Sequence, residues 1–289
     1  MPTVISNTEI TSYNTCTQQH HYMYDRQLEP RSYSVPIQKG NIGHTVLETY
    51  YQARRNGYSH EPAVAEANLK LVGLVRTADP ANFEYIEILA DMTKLMNMYF
   101  DFCRQDTFKV LAVETIITAP LTDDILFGLV LDLLVELTTG PFRGAIQIWD
   151  HKFLTNFKSE DDLRLDGQQP KYLKTAQLSG LNVKDAIFNQ IRTRRMKDPK
   201  PSDLFRRSPL ISTKTAVDTL WEETQGAAVE LNSQGRRKIR RTMYYSACKN
   251  CFFRQLCMAE LAGDPVDTML KVNYQKRDRP LKNWVFGDD

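Results

Sequence analysis

The chain has 289 residues, of which 42% are hydrophobic and 25% are charged, and its formal net charge at pH 7 is +2. This composition is typical of a soluble globular protein with one large domain or two small ones. No run approaches the roughly 20 apolar residues that span a bilayer, and the N-terminus lacks a basic stretch followed by an apolar one. We therefore expect no membrane partner, no secretory signal and an intracellular location.

The first third of the chain is predicted to be mainly helical. The opening segment is polar and irregular to about residue 11. Apolar side chains recur at helical spacing over 42–55, and a glycine follows as a helix stop. The helical pattern continues over 61–104 in two pieces, which the pair Asp79-Pro80 separates.

The middle of the chain changes to a strand pattern. Runs of β-branched residues separated by Pro, Asp, Thr and Gly predict strands over 110–117, 125–136 and 144–153. A helix over about 170–179 and a further strand over 185–191 follow. The three strands in close succession are predicted to form a meander.

The last third returns to helices. The Pro-rich, basic stretch 198–208 predicts a loop, and 213–231 predicts a long polar helix that ends before Gln234-Gly235. A shorter helix runs through a group of cysteines to Leu261. The whole order of elements predicts an α/β core with a helical elaboration.

Two segments carry clustered basic side chains. Such clusters can follow a phosphate backbone, and they can equally be solvated loops. The first cluster consists of Arg192, Arg194, Arg195, Lys197 and Lys200, and the second of Arg236, Arg237, Lys238, Arg240 and Arg241.

An acidic residue interrupts an apolar strand in the middle of the chain. Asp132 lies within the run from Leu129 to Val135, and Asp150 lies near the end of the next predicted strand. A carboxylate buried without a partner costs several kcal/mol, and two of them repel each other unless a divalent cation lies between them. Carboxylate oxygens are ligands that Mg²⁺ accepts, so the pattern predicts a metal site.

Asp150 and Lys152 are two residues apart and therefore point to the same face of a strand. The lysine can then reach a water beside a metal that Asp150 binds, an arrangement that suits phosphodiester hydrolysis. A salt bridge at a strand edge is the alternative, because an Asp-x-Lys pair is common by chance.

The cysteines do not form a disulfide framework in a reducing compartment. Cys248, Cys251 and Cys257 lie within ten residues, and a tetrahedral zinc or iron–sulfur site requires a fourth ligand. Cys16 and Cys103 are both candidates. Cys103 is most simply a small buried apolar residue on a helix.

The order of these motifs resembles the RecB-like branch of the PD-(D/E)XK nuclease superfamily. In that branch an Asp-bearing strand precedes an Asp-x-Lys strand and a helix with Gln-x-x-x-Tyr, and a histidine follows a Lys-Gly pair upstream. The matching positions are Lys39-Gly40, His44, Asp132, Asp150, Lys152, Gln168 and Tyr172, with Glu114 as the candidate for a carboxylate on the preceding strand.

The chain departs from the family pattern in two places. Gly128 and Asp132 are one residue further apart than usual, which puts Gly128 in doubt, and Asp123 and Asp124 are the reserves for Asp132. Gln169 competes with Gln168, but only Gln168 has a tyrosine four residues on, on the same helical face.

The resemblance implies a restriction-endonuclease-like core, a mixed sheet flanked by helices, as a single domain over 1–289. A helical insertion would cover about 58–105, and an iron–sulfur subregion would combine 12–24 with 245–262. It implies that His44, Asp132 and Asp150 bind Mg²⁺ or Mn²⁺. Lys152 would activate water, with Gln168 and Tyr172 completing the catalytic group.

The cysteine segments resemble those of AddB-type helicase–nucleases and CRISPR-associated exonucleases. There, an N-terminal cysteine and a C-terminal triplet hold a [4Fe–4S] cluster, which here implies the set Cys16, Cys248, Cys251 and Cys257. The cluster would join the two ends of the chain and close a long loop. Zinc on the same residues, or with His20 or His21 in place of Cys16, is the alternative.

The resemblance implies a DNA exonuclease, with flap or end-processing cleavage as a variant, that acts in recombination, repair or viral genome processing. Its location would be the cytoplasm of a prokaryotic or virus-infected cell. No Gly-x-x-x-x-Gly-Lys-Ser/Thr motif is present, so a helicase or recombination partner would do any unwinding. A non-catalytic DNA-binding scaffold and a zinc-stabilised adaptor are the alternatives. The candidates for DNA contact are Arg194, Arg195, Arg236, Arg237 and Lys238.

Overall fold

The computed structural model describes residues 2–209, 212–233 and 238–277. It divides the chain into two compact units. Unit 1 comprises residues 1–33, 118–129 and 219–289, and unit 2 comprises residues 34–117 and 130–218. The predicted extent of the domain and of its subregions stays a prediction. None of the described helices combines the length and the apolar composition that crossing a bilayer requires.

Three long helices precede three consecutive long strands, and shorter helices and strands make up the rest of the described chain. The helices are α1 (Asn7–Thr15), α2 (Thr17–His20), α3 (Val35–Arg55), α4 (His60–Thr77), α5 (Phe83–Cys103), α6 (Glu160–Arg164), α7 (Gln168–Leu178), α8 (Pro201–Leu204), α9 (Lys214–Asn232), α10 (Tyr245–Lys249), α11 (Arg254–Ala262) and α12 (Asp267–Asn273), with a π-helical turn over His21–Asp25. The strands are β1 (Thr3–Ser6), β2 (Leu28–Pro30), β3 (Phe108–Thr122), β4 (Ile125–Leu137), β5 (Ile146–Leu154), β6 (Val183–Arg192), β7 (Phe205–Pro209) and β8 (Tyr274–Lys276).

Unit 2 contains a mixed sheet with helices packed on it. The second half of β4 pairs antiparallel with β5, β5 pairs parallel with β6, and β6 pairs antiparallel with β7. The parallel pair needs a crossover, which α7 provides by packing on β5 and β6. The predicted α/β class with a mixed sheet flanked by helices is confirmed.

The main core of unit 2 lies between one face of this sheet and helices α3 to α5. Leu133 and Trp149, which pair across β4 and β5, are buried there with Tyr51 and Tyr99. Each such side chain contributes roughly 1.5–3 kcal/mol through burial. Because side chains alternate along a strand, residues of the other parity, such as Ile148, are buried on the second face.

Unit 1 has a smaller core that aromatic side chains dominate. Tyr22, Phe253 and Tyr274 are buried together, with the rings of Phe253 and Tyr274 stacked 5.5 Å apart. In the same unit β1 pairs parallel with the start of β4. A Cβ at Gly128 would lie 2.9 Å from Val4 Cγ1, so the approach of these two strands explains the glycine.

Three expected stretches differ from the structure. Residues 198–208 were expected to be a loop, but most of this stretch forms α8 and β7. Helix α8 can form because Pro201 lies in its first turn, where the missing N–H costs no hydrogen bond. Strand β7 can form because it lies at the edge of the sheet, where charged residues are accepted. The polar N-terminal segment forms β1 and α1, which Ser6 caps through the N–H of Glu9. The helix expected through the cysteines is broken into α10 and α11.

Candidate metal and catalytic centre

Two acidic side chains, Asp132 and Asp150, reach the same face of the sheet from neighbouring strands. Leu133 pairs with Trp149, and both side chains face the main core. Because side chains alternate along a strand, Asp132 and Asp150 both face the opposite side of the sheet. Asp132 Oδ2 also accepts a hydrogen bond of 2.7 Å from the backbone N–H of His151. The structure therefore brings both carboxylates to one face of the sheet.

These two carboxyl groups are poorly solvated and close to each other. Burial, and then the charge of Asp150, raises the pKa of Asp132 well above its usual value. Burial also raises the pKa of Asp150, although the ammonium of Lys152 opposes this. A divalent cation bound between two such buried carboxylates would stabilise their charged forms.

A group of three side chains offers ligand atoms for one ion. Ligand atoms of His44, Glu114 and Asp132 all lie within 4.8 Å of one another, and His44 Nδ1 is 3.6 Å from Asp132 Oδ2. Burial, and then the charge of Lys152, lowers the pKa of His44 to about 4. The imidazole is therefore neutral at pH 7, which is the form that binds a metal.

Glu114 reaches this group through an unusual backbone conformation. Its φ of +45° lies in the left-handed region, although the residue is in the middle of strand β3. Such a conformation costs about 1–3 kcal/mol and concentrates at functional sites, where it re-aims a side chain as a β-bulge does. Burial, and then the charge of Glu48, raises the pKa of Glu114 to about 7.

Lys152 connects the acidic pair to helix α7. Its Nζ lies 2.9 Å from Asp150 Oδ2 and donates a hydrogen bond of 2.6 Å to Gln168 Oε1. Gln168 Nε2 in turn donates to the hydroxyl of Tyr172. Burial opposes the charged form of Lys152, but Asp150 outweighs it and raises the pKa of the ammonium. The Lys152 ammonium is therefore charged, and two partners, Asp150 and Gln168, hold it in place.

The start of α7 places Gln168 next to the lysine. Asp166 Oδ1 accepts a hydrogen bond from the N–H of Gln168, and Asp166 is itself tied to Lys158 Nζ at 2.8 Å. Gln168 faces Lys152, whereas Gln169 is fully buried and its side-chain amide has no hydrogen-bond partner among the described residues. The geometry thus favours Gln168 over Gln169.

A buried network behind the site was not predicted. His151 lies between Asp150 and Lys152 in sequence and points to the opposite face, where its ring stacks on Tyr51 with centroids 5.5 Å apart. Asn189 Nδ2 donates to His151 Nδ1 at 2.9 Å and to the Tyr99 hydroxyl at 2.8 Å. This network fixes the backbone N–H of His151 that binds Asp132. The period-2 pattern of β5 places His151 on that face but does not identify its partners.

A second unpredicted contact supports His44. The ring of Phe153 meets the imidazole edge to face, with centroids 5.4 Å apart. The preceding residue of α3 is Gly43, and a Cβ there would overlap the ring of Phe153. The absence of a side chain at Gly43 therefore allows this packing.

The residues expected to bind DNA differ in whether they already form ion pairs. Arg194 and Arg195 are exposed in unit 2, but Arg195 already donates to Asp91 Oδ2 at 2.7 Å and lies 3.6 Å from Glu87. Lys238 is exposed in unit 1. Two further candidates, Arg236 and Arg237, lie outside the described residues.

Four of the five cysteines line one cavity of unit 1. The cavity has a volume of about 320 Å³, and its lining includes Cys16, Cys248, Cys251 and Cys257. Burial raises the pKa of Cys16, but the backbone and side-chain hydrogen bonds to its thiol together outweigh burial and leave the pKa lowered. Among the described residues these sulfurs do not form a set close enough to share one ion, as His44 and its two neighbours do. Cys103 is buried in the core of unit 2, as expected for an apolar residue.

Comparison with known proteins gives one informative result. No curated protein sequence matches the chain. One solved structure, described as the crystal structure of SSO0001, is 16% identical in sequence, with 75% of this chain and 84% of that chain covered and a TM-score of 0.32. The family model of the PD-(D/E)XK nuclease superfamily matches residues 4–258, a span that includes every side chain of the site, and the chain therefore belongs to the PD-(D/E)XK nuclease superfamily.

Proposed function

We propose that the protein is a metal-dependent DNA nuclease of the RecB-like branch, which cleaves phosphodiester bonds as an exonuclease or at flaps and ends. The observation that carries the proposal is the fixed position of Lys152 between Asp150 and Gln168, beside a carboxylate–imidazole group. Metal-dependent phosphodiester hydrolysis needs these elements together, because a cation bound by the carboxylates activates water and the lysine stabilises the charge that develops on the phosphate.

The proposed metal ligands are His44, Glu114 and Asp132, with Asp150 as the carboxylate that faces Asp132. The donor set fits Mg²⁺ or Mn²⁺, since it combines carboxylate oxygens with one neutral imidazole. When bound, the ion would polarise the scissile phosphate and acidify the attacking water. The strained backbone at Glu114 would then serve to complete the ligand group.

Lys152 is the proposed residue that orients the attacking water and stabilises the reacting phosphate. Its ammonium is charged and hydrogen-bonded before substrate arrives, so it can orient a water and stabilise negative charge that develops on the phosphate. Gln168 orients Lys152, and Tyr172 orients Gln168 from its buried position. Little reorganisation is then required during the reaction, which is how such groups lower a barrier.

We also propose a [4Fe–4S] cluster on Cys16, Cys248, Cys251 and Cys257. One observation supports it: the four thiols line one cavity of unit 1. Four thiolates can hold a [4Fe–4S] cluster, and zinc on the same residues is the alternative that the test below separates. The cluster would join the N-terminal and C-terminal segments of unit 1. Purified protein should be brown with absorbance near 400 nm, and a colourless protein containing one zinc ion would refute the cluster.

The proposed substrate is DNA with accessible ends or single-stranded regions, and the proposed context is recombination, repair or viral genome processing with a helicase or recombination partner. Digestion of end-labelled single-stranded and double-stranded DNA with Mg²⁺, Mn²⁺ or EDTA tests the activity. Release of short products that depends on the metal supports a nuclease. DNA binding without cleavage under every metal condition would instead indicate a non-catalytic scaffold.

A further inference from the structure

Two arginines of unit 2 lie against one aromatic ring. The guanidinium carbon of Arg192 is 4.3 Å from the centroid of the Phe157 ring, and that of Arg206 is 4.5 Å from it. Within the described parts of the chain, neither guanidinium forms an ion pair with a carboxylate. The buried Nε of Arg192 has no hydrogen-bond partner there either. Two like charges held side by side without a counter-charge create a local positive potential, which attracts an anion.

The strand register places these arginines on the face of the sheet that carries Lys152. Lys152 pairs with Gln190 on β6, and Gln190 pairs with Arg206 on β7, so all three side chains point to one face. Arg192 lies two residues after Gln190 and shares that face. Two strand spacings separate the Cα atoms of Lys152 and Arg206, about 10 Å, which is about three nucleotide steps along B-DNA.

Gln190 also fixes the ring that carries the two guanidiniums. Its Nε2 donates to Ser208 Oγ at 3.1 Å, and its Oε1 accepts a hydrogen bond of 2.8 Å from the N–H of Lys158. Lys158 directly follows Phe157, so the buried glutamine ties the segment after β5 to β7. A stacked guanidinium loses less conformational entropy on binding a phosphate than a free one.

Two neighbouring arginines differ from Arg192 and Arg206 because they bind carboxylates. Arg207 donates from both terminal nitrogens to Asp106, each at 2.6 Å, and its charge is compensated inside the core. Arg195 is likewise engaged with Asp91. Arg206, one residue before Arg207, is exposed and has only the Phe157 ring. Of these four arginines, Arg192 and Arg206 are the two for which no carboxylate partner is found among the described residues.

We infer that Phe157, Arg192 and Arg206 form a clamp for the phosphate backbone of the DNA strand that enters the site beside Lys152. Arg192 and Arg206 would bind the phosphates directly, and Phe157 would be a positioning residue that acts through them. The inference rests on the proposed nuclease function, because it identifies part of the surface on which that site would receive its substrate.

Fluorescence anisotropy with a labelled single strand and a labelled hairpin duplex, in EDTA at several salt concentrations, tests the clamp. Arg192→Gln and Arg206→Gln should each reduce the slope of log affinity against log salt by about one. In a Mg²⁺ cleavage assay both variants should raise KM and leave kcat nearly unchanged. Arg76→Gln, which removes one exposed charge from α4, is the matched control and should show the KM of the unmodified protein.

Phe157→Leu should weaken DNA binding with a lower salt slope, and Phe157→Tyr, which keeps the ring, should restore both. Salt slopes equal to that of Arg76→Gln in both arginine variants would overturn the clamp. The same assays separate this inference from the proposed function. A protein that binds DNA through these arginines but never cleaves it would refute the nuclease, and one that cleaves with unchanged KM in both variants would refute the clamp.

Discussion

Lys152 and Gln168 form the contact that joins the sheet to helix α7 at the candidate site. Nζ of Lys152 donates to Gln168 Oε1 at 2.6 Å while it also lies 2.9 Å from Asp150 Oδ2. An ammonium bound on two sides cannot rotate away, so its remaining N–H points in a defined direction. Lys152 is therefore a hydrogen-bond donor with a fixed position beside the acidic pair.

Lys152→Ala should lower kcat for DNA cleavage by at least about 100-fold, since an oriented charge that stabilises the transition state is lost. The far-ultraviolet circular dichroism and the absorbance of the proposed iron–sulfur cluster should not change, because the cysteines lie in unit 1. Gel assays of end-labelled DNA and spectra of the same preparation measure both. Retention of full activity by the variant would remove the catalytic role of Lys152.

The residues that the sequence predicted well are those that a local pattern determines. Asp150 and Lys152 share a face because strand side chains alternate, and Asp132 was conspicuous as an acid in an apolar run. The superfamily that these motifs indicated is confirmed by the family match. His44 and Gln168 were found only because the order of motifs resembles a family.

The features that the sequence did not predict depend on contacts between distant residues. The positive φ of Glu114 arises where β3 departs from a regular strand, and no residue type announces it. Asn189 and His151 meet only because β5 and β6 pair in one register. Arg206 lies on a strand that the Pro-rich composition had indicated as a loop. Such pairings depend on register and are not encoded by short motifs.

Glu114→Gln should weaken metal binding. The neutral amide keeps the size of the side chain but removes one negative charge from the proposed ligand group, so the Mg²⁺ concentration for half-maximal activity should rise about 10- to 100-fold. Titration calorimetry with Mn²⁺ measures the same loss without reference to cleavage. Glu48→Gln is the control, because Glu48 is exposed and its carboxylate is not part of the group. An equal effect of both substitutions would mean that general charge, and not ligation, matters at Glu114.

Asp91 should make the stability of unit 2 depend on pH at the acidic end. Burial raises its pKa, but the hydrogen bond from Arg195 and the charge of Lys39 outweigh this, so the pKa is lower than in the unfolded chain. A lowered acid pKa contributes stability above the unfolded value near 4, and that stability is lost as the pH falls through the folded value. The contribution should be no more than about 1 kcal/mol, since Arg195 is largely exposed.

Chemical denaturation of Asp91→Asn between pH 3 and pH 7 measures this contribution. The variant should be less stable than the unmodified protein at pH 7, and the difference should shrink towards pH 3. A difference that stays constant across this range would show that the ion pairs of Asp91 do not stabilise the fold through its charge.

Gly43→Ala should destabilise the protein and displace the proposed metal ligand His44. The added Cβ would overlap the ring of Phe153, which packs edge to face against His44, so either the ring or helix α3 must move. Overpacking of this kind costs about 1–3 kcal/mol in the free energy of unfolding. Displacement of His44 should also weaken Mn²⁺ binding. Gly40→Ala is the matched control on the same helix, because nothing lies within 4 Å of a Cβ there, and it should stabilise the protein by roughly 0.5–1 kcal/mol.

The double variant Gly43→Ala, Phe153→Leu separates the packing cause from an intrinsic helix effect. Leucine removes the ring atoms that the new Cβ would overlap, so the double variant should recover part of the stability and part of the Mn²⁺ affinity. Thermal unfolding and titration calorimetry of the four proteins measure this coupling, which should be clearly favourable for two residues in direct contact. Additive effects of the two substitutions would show that Gly43 does not act on His44 through Phe153.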